Sequence, residues 1–201
     1  MHTAILTFDG YNELDSLIAL GVLNRAGSRV SIASPTPRVT SMNGVTIDAM
    51  IDLREAREAD AVIIGSGSRT REVVEDPAIM SVLSDLDPSR QLLAAQCSGT
   101  LVLAKLRLLG GVPACTDLTS KPWVVAAGVE VLDQPFFARG TIATAGGCLA
   151  SAYLASWVIA RVLGVAAAEE AMHYVAPVGE KEEYVARAMR NVTPYLEPAL
   201  M

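Results

Sequence analysis

LLAAQCSGTLVLA, residues 92–104, is the stretch on which the reading of this chain turns. Its first five residues form an apolar run suited to a strand buried on both faces. Cys97 follows at once, then Ser-Gly-Thr, then an apolar segment that reads as a helix over residues 98–108. A strand that passes into a helix through so tight a turn lifts one side chain above the sheet, the layout of a nucleophile elbow. The amide groups and dipole of the new helix would favour a thiolate at Cys97. A free cysteine buried for packing is the competing reading. The position at the strand–helix junction favours the reactive one.

Working outward, segments of the two types alternate. Residues 4–8 read as a first strand. Leu14, Leu17, Ile18, Gly21 and Val22 then fall at helical spacing and predict one face of a helix. Residues 29–33 are a second strand, and Asn43-Gly44 marks the turn of a hairpin between residues 39–41 and 45–47. The β-branched run at 60–64 is another buried strand, ending in Gly65-Ser66-Gly67-Ser68. Asp76-Pro77 opens a helix. Residues 136–144 suggest two short strands around Arg139-Gly140, residues 148–163 a long helix, and residues 180–191 a last amphipathic helix. This alternation predicts an α/β fold with a mostly parallel sheet and helices on both faces. Ligands of such sheets bind at the carboxyl ends of the strands. The end of the first strand, the Gly65–Ser68 loop and the Cys97 turn should meet there.

The 201 residues suggest one domain spanning 1–201, long enough to bury a core without staples. Sixteen basic against 22 acidic residues, with no basic cluster interleaved with aromatics, give no footprint for nucleic acid or an anionic membrane. The start, MHTAILTFDG, lacks the pattern of a secretory signal. The most apolar stretch, 149–165, is broken by Ser151, Ser156 and Arg161, as in a buried helix. Three cysteines at unrelated spacings argue against a disulfide framework and fit a reducing cytosol. With only His2 and His173 and no paired Cys/His spacing, no metal site is expected.

Three further features bear on chemistry. Glycines in Gly65-Ser66-Gly67 would let backbone N–H groups approach a bound oxyanion, or would simply serve the turn. Asp15, one turn into the first helix, could move a proton beside a thiol, or could complete a capping box with Asn12. Cys115 and Cys148 read as packing residues, although Cys148 opens a helix after Gly146-Gly147. His173 reads as structural, and no local Cys–His pair is visible.

This constellation resembles the ThiJ/PfpI superfamily, also called the DJ-one family, a branch of the class I glutamine amidotransferase-like fold. The resemblance rests on AAQCSGTLVLAKLRLLGG (94–111), on ILTFDGYNELD (5–15) and on TAGGCLASAYLASWVIARVLG (144–164). It implies a flavodoxin-like three-layer sandwich and a homodimer. Among characterised members the bacterial isocyanide hydratases look most similar, through a Cys-[Ser/Thr]-Gly-[Ser/Thr]-Leu-Val-Leu segment and a Leu-Asp pair. The resemblance assigns the nucleophile to Cys97, its acidic partner to Asp15, and the oxyanion loop to Ser66, Gly67 and Ser98. Ser98 stands where the protease branch has His, which argues against proteolysis. Thr116 and Asp117, candidate pocket residues with Cys148, occupy the stretch where many relatives carry Thr-His, which argues against deglycase or glyoxalase chemistry. The implied function is a cofactor-free enzyme that attacks a small electrophilic carbon through Cys97 with Asp15 as proton carrier, as in hydration of an isocyanide. The alternative is a non-catalytic redox sensor or ligand-binding protein with an oxidisable Cys97.

Overall fold

The computed structural model describes residues 1–196; the last five positions of the expected 1–201 domain lie outside the described residues. Seven strands form one sheet. They are β1 (His2–Leu6), β2 (Arg29–Ser34), β5 (Ile51–Asp52), β6 (Ala61–Ile64), β7 (Leu92–Gln96), β8 (Phe136–Arg139) and β9 (Ile142–Ala145). Their order is β5-β2-β1-β6-β7-β9-β8. Every pairing is parallel except β8 with β9, the hairpin expected around Arg139-Gly140. A separate antiparallel pair, β3 (Arg38–Thr40) and β4 (Thr46–Asp48), carries the other expected hairpin. In its turn only Gly44 has positive φ, at 90°, so Asn43 does not form the two-residue turn that Asn-Gly suggested.

Alternate residues of the central strands feed two cores, as the two-residue pleat requires. Ile5, Ile63 and Ala94 face one side; there they meet α1 (Glu13–Arg25), α6 (Ser151–Leu163), α7 (Val165–Val175) and α8 (Lys181–Val192). Leu6, Ile64 and Ala95 face the other. That side is covered by the 3-10 helix Leu53–Glu58, α3 (Pro77–Leu83) and α4 (Gly99–Lys105). Two shorter helices, α2 (Thr70–Val73) and α5 (Lys121–Ala126), flank α4. Trp157, Leu154 and Ile159 of α6 are fully buried. Burial of side chains this size is worth about 1.5–3 kcal/mol each, which anchors α6 across the sheet. Helices α2 and α5 have no counterpart among the expected elements; α7, which carries His173 in its last turn, follows α6 after Gly164 alone, at φ 94°.

Two expected helices are shorter than the sequence suggests. α4 stops at Lys105, and Arg107 adopts positive φ (59°). Residues 148–150 form a 3-10 turn before α6 begins. The predicted apolar face of α1 is also displaced. Leu14 and Leu17 are 50% and 38% exposed, whereas Asp15, Ser16, Ala19, Val22 and Leu23 are buried. The first turn of α1 lies over the carboxyl ends of the strands, so it turns polar residues inward and leaves leucines outside. Between β1 and β6 the strand order reverses, and the crevice at that switch point is where α/β sheets bind ligands.

Candidate active site

The elbow is present as expected. Cys97 has φ 47°, a left-handed conformation costing on the order of 1–2 kcal/mol for a side-chain-bearing residue. The surroundings hold it there. Its N–H donates to the carbonyl of Ala145 at 2.8 Å, and its carbonyl accepts from Thr100 N at 3.1 Å and from Thr116 Oγ1 at 2.7 Å. Gly99 permits the tight fit. A Cβ there would stand 2.5 Å from the carbonyl oxygen of Ile64 and 2.9 Å from that of Gly65.

Asp15 is 1% exposed and does not serve as a cap; Asn12 Oδ1 alone accepts from Leu14 N at the helix start. Instead the Asp15 carboxylate accepts from Ser66 Oγ, and from Ser16 Oγ at 3.3 Å. Its backbone carbonyl accepts from Ser151 Oγ at 2.5 Å. Burial raises the carboxyl to about 6, and the two serine hydroxyls oppose that rise without cancelling it. Cys97 is 4% exposed, and burial together with the Asp15 charge pushes its thiol up to about 12. At neutral pH the sulfur is therefore a thiol. Desolvation and the Asp15 charge thus act against the thiolate that the helix dipole would favour.

A carboxylate oxygen of Asp15, Cys97 Sγ and Cys148 Sγ all lie within 4.8 Å of one another. Of the two readings of Cys148, core packing and a place near the pocket, its position in this cluster departs from the first. Cys115 does pack: it is fully buried and donates its N–H to Thr144 Oγ1 at 2.8 Å. Each sulfur of the cluster receives a side-chain amide. Gln96 Nε2 donates to Cys97 Sγ at 3.2 Å and to the carbonyl of Gly147 at 2.8 Å, and Asn12 Nδ2 donates to Cys148 Sγ at 3.2 Å.

The expected oxyanion loop is built differently. The N–H of Gly67 donates to Ser98 Oγ at 3.0 Å, so this amide is already engaged. Ser98 Oγ in turn shares a 2.7 Å bond with Thr70 Oγ1. Ser66 bonds the Asp15 carboxylate through its hydroxyl, and its backbone N–H also donates to that carboxylate. The N–H of Ser98 sits at the start of α4, where helix amides have no partner within the helix. Thr116 and Asp117, with Gly146 and Gly147, line a cavity of about 630 Å³; Cys148 does not line it. Asp117 Oδ1 accepts from the N–H groups of Thr119 and Ser120, both at 2.9 Å, which gives it a turn-forming role. His2 opens β1, at the strand end opposite the cluster, and bonds Ser31 Oγ at 3.0 Å. His173 lies near the end of α7, 3.4 Å from Glu182.

With this geometry established, the comparisons give the lineage. The DJ-1/PfpI family model matches residues 1–161. This chain belongs to the DJ-1/PfpI family. Three similar solved structures agree with it in fold. A DJ-1 superfamily protein from Salmonella typhimurium, solved as a cysteine-to-alanine mutant, is 23% identical with a TM-score of 0.77; 88% of this chain and 98% of that one are covered. Oxidized Toxoplasma gondii DJ-1 is 19% identical, with a TM-score of 0.76 and coverage of 87% and 97%. Drosophila melanogaster DJ-1beta is 21% identical, with a TM-score of 0.75 and coverage of 87% and 96%. No curated protein matches the chain. Among the described residues no helix is long and apolar enough to cross a membrane.

Gln96, Ser16 and Thr70 were not singled out in the sequence, and Asn12 only as a helix cap. Gln96 alone carried a signal, as the one strongly polar residue in an otherwise apolar strand.

Proposed function

We propose that this DJ-1/PfpI family member is a cysteine-dependent enzyme acting on a small electrophilic carbon, with hydration of an isocyanide to an N-substituted formamide as the specific reaction. The observation that carries the reading is the contact cluster of Asp15 and Cys97 within 4.8 Å, with the carboxyl raised to about 6 and the thiol to about 12. A carboxylate ionised at neutral pH stands beside a thiol that is not. As Cys97 Sγ attacks the terminal carbon, Asp15 takes the sulfur's proton and delivers it to that carbon, giving a thioimidate. Asp15 then takes a proton from the attacking water and passes it to the imidate nitrogen, giving a tetrahedral adduct whose hydroxyl holds the second water proton. Collapse of the adduct returns a proton to the sulfur and releases the formamide.

The N–H of Ser98 is the donor best placed for charge that develops next to Cys97. Gly67 can join it only if the Ser98 hydroxyl rotates away. The enzyme acts as a cytosolic homodimer of one domain per chain. Leu14 and Leu17 of α1 and Leu149 in the adjoining 3-10 turn support that assembly, since all three are exposed beside the site. The test is incubation with simple alkyl and aryl isocyanides and detection of the formamide. Turnover should vanish in Cys97→Ala and fall by at least ~10²-fold in Asp15→Asn. Formamide production by Cys97→Ala would end this reading.

A further inference from the structure

The second sulfur of the cluster plays no part in that chemistry. Cys97 and Cys148 lie on neighbouring pieces of backbone: Gln96 pairs with Ala145 in the β7–β9 register, and Cys97 N donates to the Ala145 carbonyl. Their Sγ atoms are at most 4.8 Å apart, and each accepts a side-chain amide N–H, from Gln96 and from Asn12. A disulfide needs the sulfurs about 2.05 Å apart. Closing that gap requires a shift of the turn that carries Cys148, whose Gly147 carbonyl accepts from Gln96 Nε2 and Ala150 N. Gly147 precedes it with φ 89°, and an added Cβ at that glycine would meet nothing within 4 Å. Cys148 is partly exposed, whereas Cys97 is almost wholly buried, so an oxidant from solvent reaches Cys148 first.

We infer that Cys97 and Cys148 form a dithiol pair that a hydroperoxide closes to an intramolecular disulfide and an external dithiol reopens. In the first step the Cys148 thiol attacks the peroxide O–O bond; one oxygen is transferred to give the sulfenic acid, and the other leaves as alcohol or water. In the second, Cys97 Sγ attacks the Cys148 sulfur while Asp15 takes the Cys97 proton and passes it to the departing hydroxide. The S–S bond forms, the S–O bond breaks, and water is released. The two thiols together lose two electrons and the peroxide gains two. Reduction by a small dithiol such as dithiothreitol restores both thiols. Condensation with a neighbouring thiol diverts the sulfenic acid from irreversible over-oxidation. The readout is independent of any substrate, so it stands or falls apart from the hydratase reading.

The test treats the whole chain with stoichiometric hydrogen peroxide, blocks free thiols after denaturation and maps the peptides without reductant. Two of the three thiols should be lost together, in one linked peptide pair carrying Cys97 and Cys148, and both should return with dithiothreitol. Cys115 should carry the blocking group throughout. Cys148→Ser should abolish the link and leave Cys97 to accumulate stable oxygen adducts. The inference is overturned if the wild-type chain yields sulfinic acid at either cysteine with no linked pair, a disulfide between two chains, or no thiol loss. The wild-type map decides between these outcomes even if the variant fails to fold.

Discussion

Ser66 Oγ donates a hydrogen bond to Asp15 Oδ2, tying the loop after β6 to the carboxyl group in the first turn of α1. This bond favours the charged carboxylate and opposes the burial that raises it. It sets how much of Asp15 is ionised near neutral pH, and so how readily Cys97 can give up its proton.

Removing that hydroxyl should move the acid limb of activity. Turnover that needs ionised Asp15 rises with pH through about 6. In Ser66→Ala the carboxyl loses a donor to its charged form, so its pKa climbs and the limb shifts to higher pH. The expected displacement is about one unit, comparable to one lost hydrogen bond to a charged group. A pH–rate profile of the two proteins checks this, and an unmoved or acid-shifted limb would contradict it.

Asp15 should cost the protein stability where it serves chemistry. Its carboxyl is raised in the fold from 3.8 to about 6, so its protonated form is the one the fold favours. That contribution is fully present below about pH 4 and is lost as pH rises through 6. The loss amounts to at most ~3 kcal/mol. Asp15→Asn should therefore melt higher than wild type at pH 7, and the advantage should shrink toward zero below pH 4. Thermal unfolding across that range measures it.

Gln96 offers the opposite dissociation. Its Oε1 is buried without a hydrogen-bond partner, while its Nε2 holds Cys97 Sγ and the Gly147 carbonyl. Gln96→Met should change stability by no more than about 1–2 kcal/mol, because an orphaned acceptor leaves together with the lost bonds. The Cys97 thiol should rise further in pKa, since the Gln96 amide is a group that lowers it. Alkylation at fixed pH should slow severalfold with the fold intact by circular dichroism.

Gly99→Ala should act on the elbow itself. The new Cβ would press on the Ile64 and Gly65 carbonyls at 2.5 and 2.9 Å, both rigid backbone atoms. Overpacking of this kind costs about 1–3 kcal/mol. Denaturant unfolding should show that loss, with Cys97 becoming more accessible to alkylation as the turn is pushed open.

The sheet was legible because its central strands are short apolar runs that end where turn residues begin; Leu92–Gln96 is found where it was expected. Cys97 was legible for the same reason, as the first residue after such a run. The buried face of α1 was not, because helical periodicity assumes that apolar residues turn inward, and here Asp15 and Ser16 do so while Leu14 and Leu17 stay out. The nearness of Cys148 to Cys97 was not legible because it depends on β7 and β9 being neighbours, a long-range pairing that local sequence does not encode. The oxyanion loop was misread in detail, since only the fold reveals that the Ser98 hydroxyl occupies the Gly67 amide.

The rate of Cys97 alkylation by iodoacetamide as a function of pH, in wild type and in Asp15→Asn, tests the Asp15–Cys97 partnership most directly. The account predicts a step in the wild-type profile near pH 6, where the carboxyl ionises beside the thiol, and its disappearance in the variant, which follows thiol ionisation alone. Superimposable profiles with no step near 6 would show that Asp15 does not handle the proton of Cys97.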